Sequence, residues 1–275
     1  MKKLKVLNKD MTSPFQGFKY EIGKEYVCNN FDTDIKNDCS NGFYATDIEG
    51  LPYSWNINRK VFEVKVSGKS VIIDPYKQRF EKQTVIREIN KKELIILAKK
   101  EEERLGYKLS EVIFPINPLL IKRGEVTLKE IELLKKWASV RASVWVSVWD
   151  SVWDSVGAPV WASVWASVGD SVWASVGDSV GASVWASVWD SVWASVGNSA
   201  GDSVWDSVWD SVWASVGNSA GGYLSSFFDI KYQYDYTPCV RLWERGFVPS
   251  YDGTTWRLHS GKNAAVVYEL ARGSE

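Results

Sequence analysis

The chain has 275 residues, of which 24% are charged and 14% aromatic, and carries a formal net charge of −1. That length admits two domains, or one domain plus a repeat array. No run of about 18 apolar residues offers a membrane span. Cys28, Cys39 and Cys239 form an odd, unspaced set that implies neither a disulfide framework nor a CxxC metal site. The start, MKKLKVLNKDM, has basic residues but no apolar stretch after them, so a cytoplasmic protein without a signal peptide is expected.

Charge is distributed unevenly. Residues 1–136 hold 26 Lys and Arg against 20 Asp and Glu, residues 137–222 hold one against eight, and residues 223–275 hold six against six. An acidic array therefore follows a basic head.

Residues 1–90 read as an α+β head. Gly17–Cys28 alternates apolar and polar residues as an edge or hairpin strand does. Strands at 61–66 and 71–74 flank Ser67-Gly68-Lys69-Ser70, which reads as a hairpin turn, and 82–89 is a further strand. Residues 91–136 read as a helical neck. Its first helix covers about 91–104, with Asn90 and Glu93 as a capping box and Gly106 at the C-terminal end. A second helix runs from about 128 to 137, opened by Thr127 and Glu130.

From Trp137 to Ala220 nearly the same four residues recur twenty-one times, as WASV, WDSV, GDSV or GNSA. Slot one is Trp or Gly in every unit but that of Arg141, and slot two is usually Ala, Asp or Asn. Slot three is Ser except at Pro159, and slot four is Val or, twice, Ala. Such regularity implies a stacked, quasi-one-dimensional object. In a helix four residues advance 400°, so each repeat drifts 40° and a long helix keeps no fixed face. Helix would then survive only as short antiparallel pieces broken at the Gly units. Free exchange of Trp with Gly, and of Ala with Asp, argues that slots one and two face outward while Ser and Val form the interior. The expected fold is therefore mainly β: an α+β N-terminal domain, a tetrapeptide-repeat β-solenoid over 137–222, and caps at both ends. Residues 223–275, with Asp252-Gly253 between aromatic runs, read as the C-terminal β cap.

Outward slots would place Trp149, Trp153, Trp161, Trp165, Trp173, Trp185, Trp189, Trp193, Trp205, Trp209 and Trp213 in aromatic columns. Exposed Trp marks binding surfaces, so these residues are the expected binding site, used for self-association or for another protein. Beside them run Asp150, Asp154, Asp170, Asp178, Asp190, Asp202, Asp206 and Asp210. Acidity argues against nucleic-acid binding by the repeat. An acidic rod also suggests a DNA mimic of the pentapeptide-repeat type, by analogy of shape and charge.

GFKYEIGKEY (17–26), DCSNGFYAT (38–46), VFEVKVSG (61–68) and VIREI (85–89) resemble the small N-terminal domain of uncharacterised phage and bacterial proteins that carry low-complexity tracts. PSYDGTTWRLHSG (249–261) is similar to their C-terminal module. The resemblance implies architecture and a bacterial or phage origin, but no activity.

Signs of catalysis are few. His259 is the one histidine, which favours a structural role and no metal. Gly68-Lys69-Ser70 lacks the earlier Gly of a P-loop, where Glu63 stands. GFYAT (42–46), Ser54-Trp55 and VFEVKV (61–66) are similar to part of an ADP-ribosyltransferase-type NAD fold, which implies a pocket lined by Tyr44, Thr46 and a carboxylate, while Glu63 and Glu88 are both ordinary strand positions. That enzyme reading is the alternative to the expected non-enzymatic interaction protein, for which no cofactor is expected.

Overall fold

The structure, a computed structural model, describes residues 2–271 except 56–57, 75, 123–124, 141–143, 169–171, 183 and 185–197. The side chains of 145, 159, 163, 166–168 and 198–209 also lie outside the described set. Two compact units divide at Phe114, Met1–Phe114 and Pro115–Glu275.

Five antiparallel strands build the first unit: β1 (Lys2–Asn8), β2 (Glu25–Val27), β3 (Phe43–Ala45), β4 (Arg59–Asp74) and β5 (Lys77–Ile89). Their order is β1-β4-β5-β2, with β3 also paired to β5. Phe62, Val64 and Val66 alternate along β4 and meet Leu7, Tyr20, Ala45, Phe80 and Val85 in one apolar cluster. The expected turn at 67–70 is not a turn. β4 runs straight through it, and the chain reverses between Asp74 and Lys77. Gly68, at φ 78, is instead part of a register shift between Ser67 and Ser70, where the Lys69 amide donates to Glu81 Oε2 at 2.9 Å. The alternation at 17–28 yields only β2, because Gly17 and Gly23 take positive φ and interrupt the strand.

Local helix signals are obeyed. α1 (Lys91–Leu105) opens on the Asn90–Glu93 capping box and ends at Gly106 with φ 74. A short α2 (Leu109–Ile113) completes the first unit. In the second unit, α3 (Leu128–Ala138) opens on the Thr127–Glu130 capping box.

Where it is described, the repeat is helical rather than a β-solenoid, and the chain is not mainly β: among the described residues helix outweighs strand. Described repeat residues form α4 (Val144–Val156), α5 (Ala158–Val168), α6 (174–182) and α7 (Asn198–Leu224). Drift does not forbid this, since α4 and α5 are 13 and 11 residues long and turn their Val row by only about 80–120°. Gly157, at φ 82, separates the two. α7 is longer, and there the drift carries successive faces past different neighbours, α4, α8 (Thr237–Glu244) and β6 (Val248–Tyr251).

Val is the interior slot, as substitution within the array implied. Val144, Val148, Val152, Val164, Val172, Val176, Val180, Val212 and Val216 are all buried. Packing of this row, rather than propensity, is what holds Val- and Gly-rich sequence in helices. Ser is not Val's interior companion throughout. It is exposed at Ser155 and Ser175 and buried at Ser215 and Ser219, where α7 meets the C-terminal sheet.

That sheet is β6-β7-β8, with β7 Thr255–Ser260 and β8 Ala265–Ala271. The Asp252-Gly253 turn joins β6 to β7 as expected. The edge of β6 is satisfied by α7: Tyr251 N donates to Ser215 Oγ at 2.8 Å, and Ser219 Oγ donates to Pro249 O at 2.9 Å.

Candidate functional site

Slot one is where the repeat becomes specific. Trp173 meets Trp213 edge to face, with centroids 4.7 Å apart. A Cβ built on Gly177 would lie 2.5 Å from Trp213 Cζ3, and one on Gly217 would lie 3.6 Å from Trp173 Nε1. Each tryptophan thus lies over the glycine of the facing helix, one unit beyond its partner. At these two pairs Trp and Gly complement one another in volume across a helix pair, so their exchange there does not mark an outward slot. The expectation of uniformly outward Trp columns fails for this reason.

Burial of the described indoles follows. Trp161 is 2% exposed and packs edge to face with Trp149 at 4.7 Å. Trp165, Trp173 and Trp213 are half-buried, and Trp165 lies 5.4 Å from Trp173. On α4 the pattern opens. Trp149 and Trp153 are 36% and 45% exposed and stack at 5.5 Å with 21° between planes. Val146 is exposed beside them, and Asp150 and Asp154 flank the pair. These five residues form an apolar, acidic ledge two helical turns long. Trp185, Trp189 and Trp193 lie outside the described residues. Trp205 and Trp209 fall within α7, but their side chains lie outside the described set.

Asp178 and Asp210 are exposed like Asp150 and Asp154, while Asp170 and Asp190 lie outside the described residues and the side chains of Asp202 and Asp206 are not described. Slot two therefore faces solvent wherever it is described as Asp.

Catalytic candidates in the head are structurally engaged. Tyr44 Oη accepts from Ser40 N at 2.8 Å and donates to Ser40 O. Thr46 is buried and donates to Asp47 O. Glu63 pairs with Lys2 and Arg87, and Glu88 pairs with Lys60. A cleft of about 540 Å³ has Leu4, Ile48, Ile89, Ile96 and Leu97 in its wall together with Glu63, but neither Tyr44 nor Thr46 lines it. No observation therefore gathers the residues of the NAD-handling reading into one pocket.

Lys5 and His259 are buried titratable groups. Lys5 Nζ donates to Tyr44 O at 2.8 Å and lies 4.7 Å from the Tyr20 ring centroid. Burial lowers its pKa to about 7, since no carboxylate offsets the lost hydration. His259 donates from Nδ1 to Ala264 O at 2.9 Å, which leaves Nε2 to accept from Ser250 Oγ at 2.7 Å. Burial lowers its pKa to about 4. The Ser–His pair has the spacing of a nucleophile and base, yet both side chains are wholly buried, so the contact fastens β6 to β7.

Among the described residues no group of three His, Cys, Asp or Glu could hold a metal, and no helix is long and apolar enough to cross a membrane. Sequence reasoning flagged Trp149, Trp153 and both aspartates, but missed Val146 and the exposed Ile96 of α1. A signal for the latter existed: Leu94-Ile95-Ile96-Leu97 is a continuous apolar run, and a helix buries only part of such a run on one face.

A family model described as a domain of unknown function, DUF7666, matches residues 1–97, about a third of the chain. No curated protein and no solved structure matches it.

Proposed function

We propose that this chain is a non-enzymatic, repeat-built structural and interaction protein whose Trp-bearing helices associate with a second copy of the chain. The observation that carries the reading is the Trp173–Gly217 and Trp213–Gly177 interlock, together with an indole pair of the same repeat left exposed on α4. Within the chain, repeat helices pack by seating indoles against glycines, and Trp149 and Trp153 leave two further indoles of the same repeat open to a partner.

Magnitude limits what the ledge does alone. Covering the exposed parts of both indoles removes roughly 200 Å² from water, which contributes about 5 kcal/mol. Association costs about 4–15 kcal/mol in lost freedom, so two indoles give weak association and further contacts must add to them.

Sedimentation velocity on the full-length chain tests the reading. Mass should rise with concentration in whole multiples of 31.1 kDa, and Trp149→Ser with Trp153→Ser should shift the rise to higher concentration. A monomer at every accessible concentration contradicts it.

A further inference from the structure

The array holds eight Asp and a single basic residue, whereas residues 1–136 carry the surplus of cations. Asp150 and Asp154 stand beside an exposed apolar strip, and among the described residues neither lies within ion-pair distance of a cation. A surface of this kind fits an apolar helix flanked by lysines. The chain has such a helix. On α1, Ile96 is 57% exposed, and Lys92, Lys99 and Lys100 are exposed around it. Their spacing, i, i+4 and i+7 or i+8, places all four on one side over about two turns. Two carboxylates of the same helix are already engaged, Glu93 by Arg87 at 2.9 Å and Glu101 by Arg104 at 3.0 Å. Lys92, Lys99 and Lys100 have no carboxylate within ion-pair distance among the described residues.

Resting on the self-association reading above, we infer that the occupant of the α4 ledge is helix α1 of a second copy. Ile96 enters beside Trp149 and Trp153, and the three lysines meet Asp150 and Asp154. Apolar area then comes from both partners, which supplies what the indole pair lacks, and the charges orient the approach. The surfaces differ, so the contact is heterologous and either closes into a ring or continues as an open chain of copies. Glu103, one turn beyond Lys99 on the same side, works against the contact.

The test is charge exchange in full-length protein, followed by sedimentation velocity at low and high salt. Lys92→Glu with Lys99→Glu should abolish the multiples seen for wild type, and so should Asp150→Lys with Asp154→Lys. Mixing the two variants should restore association, because each variant's ledge then meets a helix of opposite charge on the other. High salt should weaken wild-type association, and Glu103→Gln should strengthen it. Should both reversed variants associate as wild type does while the Trp149→Ser, Trp153→Ser variant does not, the α1 partner is wrong and self-association stands. Carbodiimide cross-links between these lysines and aspartates confined to the monomer band would also overturn the proposal. A wild type that never associates removes both readings together.

Discussion

The head and the array bury apolar residues to a similar depth by opposite means. In the head every position is distinct, and specificity comes from individual partners: buried Arg79 donates to the carbonyls of Asp32, Asp34 and Asn37, and Glu63 sits between Lys2 and Arg87. In the array four residues recur, and specificity comes from where Trp gives way to Gly. A uniform repeat therefore makes a particular fold through its exceptions.

Five substitutions and pH probe that difference. The largest effect belongs to the Val row. Val176→Asp buries an unpaired carboxylate and should cost on the order of 4 kcal/mol, read as lost helical ellipticity and a lower Tm. Retention of wild-type stability would mean that the row is not the interior.

Titration separates the two units next. Lys5 has a folded pKa of about 7, below its ordinary 10.5, so the unfolded state binds the extra proton between those values. Stability of the first unit should therefore climb as pH rises from about 7 towards 10.5, and Lys5→Met should flatten that rise in denaturant melts. His259 acts on the second unit in acid. Its folded pKa of about 4 lies below 6.5, so stability is full above pH 6.5 and drains as pH falls through 4. His259→Gln should blunt that loss.

Carboxylates give the smallest contrast. Glu63→Ala removes two ion-pair partners and should cost about 1 kcal/mol, while Asp150→Ala should change stability by less than about 0.5 kcal/mol. Equal costs would erase the distinction between a paired head and an unpaired array. Asp150→Ala should nevertheless weaken association.

How much of this was legible follows the same division. Asn90 with Glu93, Thr127 with Glu130, and Asp252 with Gly253 each announce an element boundary through local hydrogen bonding, and each boundary is where the spacing puts it. Gly68 is ambiguous because a glycine at positive φ serves a bulge as well as a turn, and the deciding contact, Lys69 N to Glu81, spans twelve residues. The repeat is more deeply ambiguous. Val at every fourth position marks an inside but leaves the backbone open, since short helices tolerate a 40° drift that long ones do not. Trp–Gly exchange resembles exposure in the sequence alone, although the compensating residue sits on another helix, Gly177 beneath Trp213. Within the candidate site, the exposed aspartates of slot two were readable from their free exchange with Ala. The division of the indoles into buried Trp161 and open Trp149 and Trp153 was not, because every unit looks alike until helices pair.

The most direct test is a double-mutant cycle on the full-length chain with Gly177→Trp, Trp213→Gly and both together, followed by chemical denaturation. If the repeat helices interlock, Gly177→Trp overpacks at a cost of about 1–3 kcal/mol, Trp213→Gly leaves a cavity, and the double variant recovers most of the loss. Strictly additive losses, or a harmless Gly177→Trp, would contradict the interlock and with it the helical packing of the array.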